Sequence, residues 1–222
     1  MAVKDEGSVE VEAGVPVRER YGLVLALLLL LYVLTGVSEG RLMRVVASVV
    51  WLAVILAILW SPGLPRRLRL IGGGAVLLVL LISMFAGALD SDAADGLSLM
   101  VVAVAQLAAI AAIFNRIMRH PTVTLQTVMG GVATYALFAF AMASVYQGLD
   151  LLSETQFLDG AARAGDYIYF SFVTLTTLGY GDITPGTEIA KRLAVVEAFV
   201  GQVFVITLVA RLVSLWGKPL RR

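Results

Sequence analysis

The sequence predicts an all-α polytopic membrane protein with six transmembrane helices and one short re-entrant helix. Its 222 residues are 59% hydrophobic and only 15% charged, with a mean hydropathy of +0.91. Soluble domains are about half apolar and a quarter charged. The charged residues lie between long apolar runs, which is the pattern of a chain that crosses a bilayer several times. One further apolar run is too short to cross, and we interpret it as the re-entrant helix.

Four apolar spans in residues 21–120 are predicted to form a membrane domain. Residues 1–20 before them are polar, and we expect a cytoplasmic tail rather than a signal peptide, because acidic residues occupy the region that a signal peptide keeps basic. At ~1.5 Å per residue each span can cross a ~30 Å hydrocarbon core, the shortest with help from its flanks. The spans are about Tyr21–Val37, Leu42–Trp60, Leu70–Leu89 and Leu97–Ile113.

Residues 121–222 are predicted to form a second domain, in which two spans flank a segment that does not cross. The spans are about Thr122–Tyr146 and about Ile189–Trp216. Between them, a polar turret, Gln147–Gly165, precedes Asp166–Leu178, which is apolar and aromatic but too short to span. Non-helical backbone at membrane depth is tolerated only where protein or water surrounds it. We therefore expect this segment to be a re-entrant helix that runs into a water-lined site.

The distribution of Lys and Arg predicts the orientation of the chain. Arg side chains follow the second span at 66–69 and the fourth at 116–119, and Lys and Arg recur from Arg211 to the C-terminus. With six spans these three regions share one side, and the positive-inside rule makes that side cytoplasmic. Both termini are then cytoplasmic, and the acidic segment 150–166 lies outside.

Residues 177–182 read T-L-G-Y-G-D, a segment that resembles an ion selectivity filter. A filter must replace the water around a cation with a stack of backbone carbonyls that face one axis. A regular strand alternates its carbonyls, so the filter backbone has to leave the β region at alternate residues. Gly179 and Gly181 do this without steric cost. Thr177 would add a hydroxyl at the inner mouth.

In this context the segment resembles the selectivity filter of tetrameric potassium channels. The order of span, re-entrant helix, T-L-G-Y-G-D-I-T-P and span resembles the pore module of small prokaryotic six-span channels over roughly residues 122–216. The family mostly has Val or Ile where this chain has Leu178, which keeps an apolar wedge behind the filter, as does Tyr180. The resemblance implies K⁺ sites at Thr177, Leu178, Gly179 and Tyr180, with Gly181 completing the filter.

The same resemblance implies the assembly and the setting of the protein. One filter per chain cannot surround an ion, so four copies are expected to form a homotetramer around a central pore, with a voltage-gated-channel-like architecture. The expected partners are the lipid bilayer and K⁺ as the permeant ion, with no cofactor and no nucleic acid. The expected location is the cell membrane, as a multi-pass protein of a prokaryotic inner membrane.

Several polar and small residues are candidates for supporting the filter. In the family the carboxylate after the filter, here Asp182, often accepts a bond from an aromatic on the re-entrant helix, and Tyr169 is well placed by sequence. Glu197 lies well inside the last span, where a charge is costly. We expect it to support the re-entrant helix through a hydroxyl of Thr174 or a tyrosine; plain helix–helix hydrogen bonding is the alternative. Gly201 lies where the family often has a hinge.

The cytoplasmic half of the last span offers a candidate inner constriction. Val205 and Val209, with Leu208 and Leu212, fall near one helix face. This face forms either an apolar constriction, formed chiefly by Val205 and Val209, or an ordinary packing surface between helices.

The fourth span lacks the charges of a working voltage sensor. From Leu97 to Phe114 it has no Lys or Arg, although a sensor needs several, because one charge crossing the membrane contributes only ~2.3 kcal/mol per 100 mV. Arg116 and Arg119 lie at the cytoplasmic end, where the positive-inside rule accounts for them. Residues 21–120 thus resemble a voltage sensor without its basic fourth helix, and we expect no voltage gating.

Other functional classes find less support in the sequence. The chain has no Cys and one His, which removes disulfides, thiolate sites and the common zinc signatures. No catalytic motif is present, so an enzyme is not expected. A nonselective cation channel, a transporter subunit with several divergent filters, and a non-conducting accessory subunit remain as alternatives to passive K⁺ conduction. The intact G-Y-G-D favours the potassium channel.

Overall fold

A computed structural model describes residues 21–37, 91–119 and 125–215, with five single positions between residues 54 and 81. Apart from those positions, the predicted tail and the second and third spans lie outside the described residues. The described chain is almost entirely helical. Its elements are α1 Tyr21–Val37, α2 Asp92–Arg119, α3 Leu125–Leu152, β1 Leu158–Asp159, α4 Ala164–Leu175, β2 Thr184–Pro185 and α5 Glu188–Leu215.

Three of these helices are long and apolar enough to cross a membrane, over Asp92–Phe114 in α2, Leu125–Leu152 in α3 and Glu188–Ser214 in α5. Helix α1 is also apolar, but at 17 residues it is shorter. The predicted all-helical membrane class is confirmed, whereas the number of six spans stays a prediction.

Helix α2 begins earlier than the sequence predicts, at Asp92 rather than near Leu97. The Ser91 carbonyl accepts the N–H groups of Ala94 and Asp95 at 3.0 and 3.1 Å and so forms the first turn. Asp92 and Asp95 lie in that turn, where negative charge favours a helix N-terminus. The first turn, with its favourable acidic residues, therefore extends the helix beyond its apolar run.

Helix α3 is the centre of the described structure, because α1, α2, α4 and α5 all pack against it. Glycines allow the closest approaches. A Cβ on Gly148 of α3 would lie 3.0 Å from the carbonyl oxygen of Gly96 in α2, and a Cβ on Gly96 would lie 2.9 Å from that of Gly148. This is the small-residue packing common between membrane helices. The fourth predicted span thus packs against the fifth predicted span of the same chain.

Helix α4 is the predicted re-entrant helix, and it ends earlier than predicted, at Leu175. Thr177 has φ +59°, which a right-handed helix cannot continue. The Thr177 N–H donates to the Thr174 carbonyl at 3.0 Å and the Leu178 N–H donates to the Val173 carbonyl at 2.9 Å. This pair of bonds is the Schellman motif that closes helix C-termini.

Two short strands join the turret to the residues that follow T-L-G-Y-G-D. β1 pairs antiparallel with β2, with Leu158 opposite Pro185 and Asp159 opposite Thr184. The Gly186 N–H donates to the Phe157 carbonyl at 3.0 Å beside this pair. The sequence gives no signal for strands of two residues, so this connection was not predicted.

Candidate functional site

The backbone of the T-L-G-Y-G-D segment changes conformation at every second residue. Thr177, Gly179 and Gly181 have φ of +59°, +57° and +78°, whereas Leu178 and Tyr180 between them do not have positive φ. The sequence predicts this departure at the two glycines and misses it at Thr177. Alternation of this kind turns successive carbonyls to the same side of the chain, which is the arrangement of a carbonyl-lined ion path.

Thr177 is the most strained residue of the segment. A non-glycine residue in the left-handed region costs roughly 1–2 kcal/mol. The Schellman bonds at the end of α4 offset part of that cost, and the Gln202 side chain approaches from α5, with its Nε2 3.4 Å from Thr177 Oγ1. Sequence reasoning missed Gln202, since a single polar residue beside the predicted hinge gives only a weak signal.

The side chains of Leu178 and Tyr180 lie on the outside of the single chain, 58% and 67% exposed. The Tyr180 ring stacks on the ring of Tyr169 from α4, with centroids 6.5 Å apart and planes 8° from parallel. The Tyr180 ring therefore rests on α4, whereas the Leu178 side chain is mostly exposed.

Tyr169 also holds the acidic end of the segment. Its hydroxyl donates to Asp182 Oδ2 at 2.8 Å. This is the bond expected between these two residues from the family resemblance. Donation to a carboxylate raises the pKa of Tyr169 to about 12 and holds the pKa of Asp182 below its usual value. At neutral pH the pair is therefore a neutral donor and a charged acceptor.

Glu197 is fully buried behind the segment, where α3, α4 and α5 meet. Tyr146 Oη of α3 lies 2.7 Å from Glu197 Oε2, and Ser171 of α4 is hydrogen-bonded to Glu197 Oε1. The expected tyrosine is thus present, but the hydroxyl on α4 belongs to Ser171 rather than Thr174. The sequence could not choose between them because the rotation of α4 about its axis decides which one faces α5.

Gly201 packs against the last residue of α4. A Cβ at Gly201 would lie 2.5 Å from Leu175 Cδ1 and 2.8 Å from the Leu175 carbonyl oxygen. Leu175 is itself fully buried, and its carbonyl accepts a bond from Tyr135 Oη at 2.8 Å. Close packing against Leu175 therefore explains why a residue without a side chain lies at position 201, which the sequence did not reveal. The role of Gly201 as a hinge stays a prediction.

The candidate constriction residues divide between two surfaces. Val205 and Val209 are exposed on α5. Leu208 packs against α3, where a Cβ on Gly131 would lie 2.8 Å from its Cδ2. Val205 and Val209 remain available for a surface beyond this chain, and Leu208 serves packing within it.

Asp150 at the end of α3 is a further anchor that the sequence did not single out. It accepts bonds from the Tyr167 hydroxyl of α4 and from the Phe157 N–H of the turret.

Among the described residues no group of three or more His, Cys, Asp or Glu side chains is placed to hold a metal ion. The backbone carbonyls of residues 177–181 are the oxygen-rich feature of the site.

Comparison with known proteins points to the same segment. Residues 130–217 match the protein family described as "Ion channel". Two pore potassium channel b of Oryza sativa subsp. japonica is 35% identical over 81 residues, which cover 36% of this chain and 22% of that protein. Two-pore potassium channel 4 of Arabidopsis thaliana is 49% identical over 49 residues, 22% of this chain and 17% of its own length.

The chain thus spans less than a quarter of the length of these plant relatives. No solved structure matches it. The family match begins within α3, continues to the end of α5 and includes the T-L-G-Y-G-D segment.

Proposed function

We propose that this chain is a potassium-selective ion channel that conducts K⁺ passively across a membrane, and is not an enzyme. The observation that carries the proposal is the alternation of positive φ at Thr177, Gly179 and Gly181 within T-L-G-Y-G-D. The ion-channel family match and the names of the plant relatives support it. The carbonyls of Thr177, Leu178, Gly179 and Tyr180 replace the hydration shell of K⁺, with Gly181 at the outer end.

Four copies surround one central pore in this proposal. A single chain supplies one side of a filter, and closed rotational symmetry is the usual solution for identical subunits. The exposed Leu178 and Tyr180 are then covered by neighbouring filters or helices. Helix α5 supports the same arrangement, because large apolar side chains such as Val195, Phe199 and Ile206 are mostly exposed along it. Neighbouring copies and lipid cover this surface.

Asp182 and Tyr169 support the filter as one hydrogen-bonded pair, and Glu197 supports it from behind α4. Tyr169 ties the outer end of the filter to α4 through Asp182, and Glu197 ties the middle of α4 to α5. Val205 and Val209 line the inner constriction, and Gly201 is the candidate hinge above it. Residues 121–222 form this pore domain, and residues 21–120 form a membrane domain that does not sense voltage.

Both termini are cytoplasmic and the filter opens outward, an orientation that the distribution of basic residues supports. The membrane in this proposal is a prokaryotic inner membrane. The inner constriction then lies on the cytoplasmic side of Gly201. This arrangement places the turret and the β1–β2 pair on the outside.

The test is the reversal potential of the purified protein in a planar bilayer with K⁺ on one side and Na⁺ on the other. We expect reversal near the K⁺ equilibrium potential and a current that does not depend steeply on voltage. Gly179→Ala should abolish selective current, because its φ of +57° strains any residue with a Cβ although nothing lies within 4 Å of that position.

Gly22→Ala is the matched control, since a Cβ there meets only the flexible end of Met129, at 3.2 Å from its Cε. The control should conduct like the wild type. A reversal potential near zero with measurable current would replace the proposal with a nonselective cation channel. A steep voltage dependence would overturn the assignment of residues 21–120.

A further inference from the structure

The hydrogen bonds around Glu197 form a chain of four groups from three helices. Ser171 Oγ lies 2.8 Å from the Ala139 carbonyl oxygen of α3 and is also bonded to Glu197 Oε1. Tyr146 Oη lies 2.7 Å from Glu197 Oε2. Ser171, Glu197 and Tyr146 are all 0% exposed, so the network lies away from bulk water.

The number of protons in this network decides the state of Glu197. Three hydrogen bonds need three protons, and a carbonyl oxygen supplies none. The hydroxyls of Ser171 and Tyr146 supply one each. Ser171 must give its proton to the Ala139 carbonyl, which can only accept. The bond between Ser171 and Glu197 Oε1 then requires a proton on the carboxyl group, which donates to Ser171 Oγ.

An ionised Glu197 would fit the site less well for a second reason. Both of its hydrogen-bond partners are hydroxyl groups, and neither carries a positive charge. A buried charge without an ionic partner is among the most costly groups in a protein interior. The titratable groups that face it, Tyr146 and Tyr135, both come from α3 and repel rather than stabilise an anion once they ionise. Ser171 faces it from α4 and does not titrate.

We propose that Glu197 is a neutral carboxylic acid and a positioning residue, which donates its proton to Ser171, accepts one from Tyr146, and so holds α4 against α3 and α5. The carboxyl group acts on ion conduction through α4, whose C-terminus leads into the filter at Thr177. In that respect the inference rests on the proposed function, but the protonation itself does not.

Loss of the proton removes one bond and leaves a buried anion. Because the folded protein then holds a proton that the unfolded chain releases at neutral pH, folded stability falls as pH rises. The packing of α4, and with it the conducting state of the filter, should therefore be lost in the alkaline range rather than the acid range.

The decisive variant is Glu197→Gln, in which a carboxamide replaces the acid at nearly the same volume. Its NH₂ group donates to Ser171 and its oxygen accepts from Tyr146, so all three bonds persist at every pH. We expect wild-type conduction and melting temperature at neutral pH, and no alkaline loss. Glu197→Ala should lower the melting temperature of the assembled protein by several degrees at every pH, since it leaves the buried Tyr146 hydroxyl without an acceptor and removes the donor to Ser171.

Infrared spectroscopy of the full-length protein in lipid tests the protonation without any current. The wild type should show the carbonyl stretch of a protonated carboxylic acid that is absent from Glu197→Gln, and Ser171→Ala should shift this band because it removes the acceptor. Absence of the band, or a Glu197→Gln protein as unstable as Glu197→Ala at neutral pH, would overturn the proposal. Absence of K⁺ current from the wild type would instead reject the proposed function, while the band and melting temperatures still decide the state of Glu197.

Discussion

Substitution of Gly201 by Ala separates the packing role of this residue from its predicted role as a hinge. Two effects of opposite sign compete. Alanine is favoured over glycine in a helix interior by ~1 kcal/mol. Against this, the new Cβ would lie 2.5 Å from Leu175 Cδ1 and 2.8 Å from the Leu175 carbonyl oxygen, and overpacking a tight site costs ~1–3 kcal/mol.

The identity of the contacted atoms decides which effect is larger. A leucine methyl group can rotate away, but Leu175 is 0% exposed and has little room. Its carbonyl oxygen is fixed, since it ends α4 and accepts a bond from Tyr135 Oη at 2.8 Å. The clash with the carbonyl therefore persists, so the overpacking cost is expected at the upper end of its range and the net loss of folding free energy in each chain approaches about 2 kcal/mol.

The assay is the melting temperature of the detergent-solubilised protein, measured beside its bilayer current. Gly201→Ala should melt several degrees below the wild type. Gly22→Ala, whose Cβ meets only the flexible end of Met129, should not. In a double-mutant cycle with Leu175→Ala, the losses should be less than additive, because the second change removes one of the two clashing groups. An unchanged melting temperature with an altered open probability would refute the packing argument and favour the hinge.

Two further side chains should affect the filter without affecting the fold. Tyr169→Phe removes the hydroxyl 2.8 Å from Asp182 and keeps the ring that stacks on Tyr180. Single-channel recording should show shorter open periods. Unchanged open periods would mean that the bond does not hold the outer filter. Gln202→Leu removes the amide 3.4 Å from Thr177 Oγ1; the Rb⁺ to K⁺ permeability ratio should change while the melting temperature stays within error, and an unchanged ratio would show that Gln202 does not influence the innermost ion site.

The sequence predicts the parts of this structure that depend on local composition. The apolar run Tyr21–Val37 is α1 without change, and α5 begins one residue before the predicted start at Ile189. The order of span, short helix, glycine-rich segment and span is also as predicted, because length and hydropathy alone distinguish a crossing helix from one that does not cross.

The parts that the sequence does not predict depend on how the helices are rotated and how closely they approach. Ser171 rather than Thr174 meets Glu197 because α4 presents that face to α5. Gln202 reaches Thr177 because α5 is rotated so that this side chain faces the end of α4. The left-handed conformation of Thr177 was missed because threonine rarely adopts it. It becomes visible only when α4 is seen to end in a Schellman motif, with Thr177 in the place that glycine usually takes.

The end of α4 also fixes the direction in which the carbonyl oxygens of Thr177 and Leu178 point. A peptide unit is planar and trans, so its N–H and C=O point in opposite directions. The Leu178 N–H is turned back toward the Val173 carbonyl at 2.9 Å, and the Gly179 N–H is directed at the same oxygen at 3.4 Å. The carbonyls of Thr177 and Leu178 therefore face away from the helix, and neither peptide plane can flip without breaking its bond to Val173. Slow hydrogen exchange at the Leu178 amide would thus report that its bond to the Val173 carbonyl is intact, and hence that the Thr177 oxygen still faces away from α4.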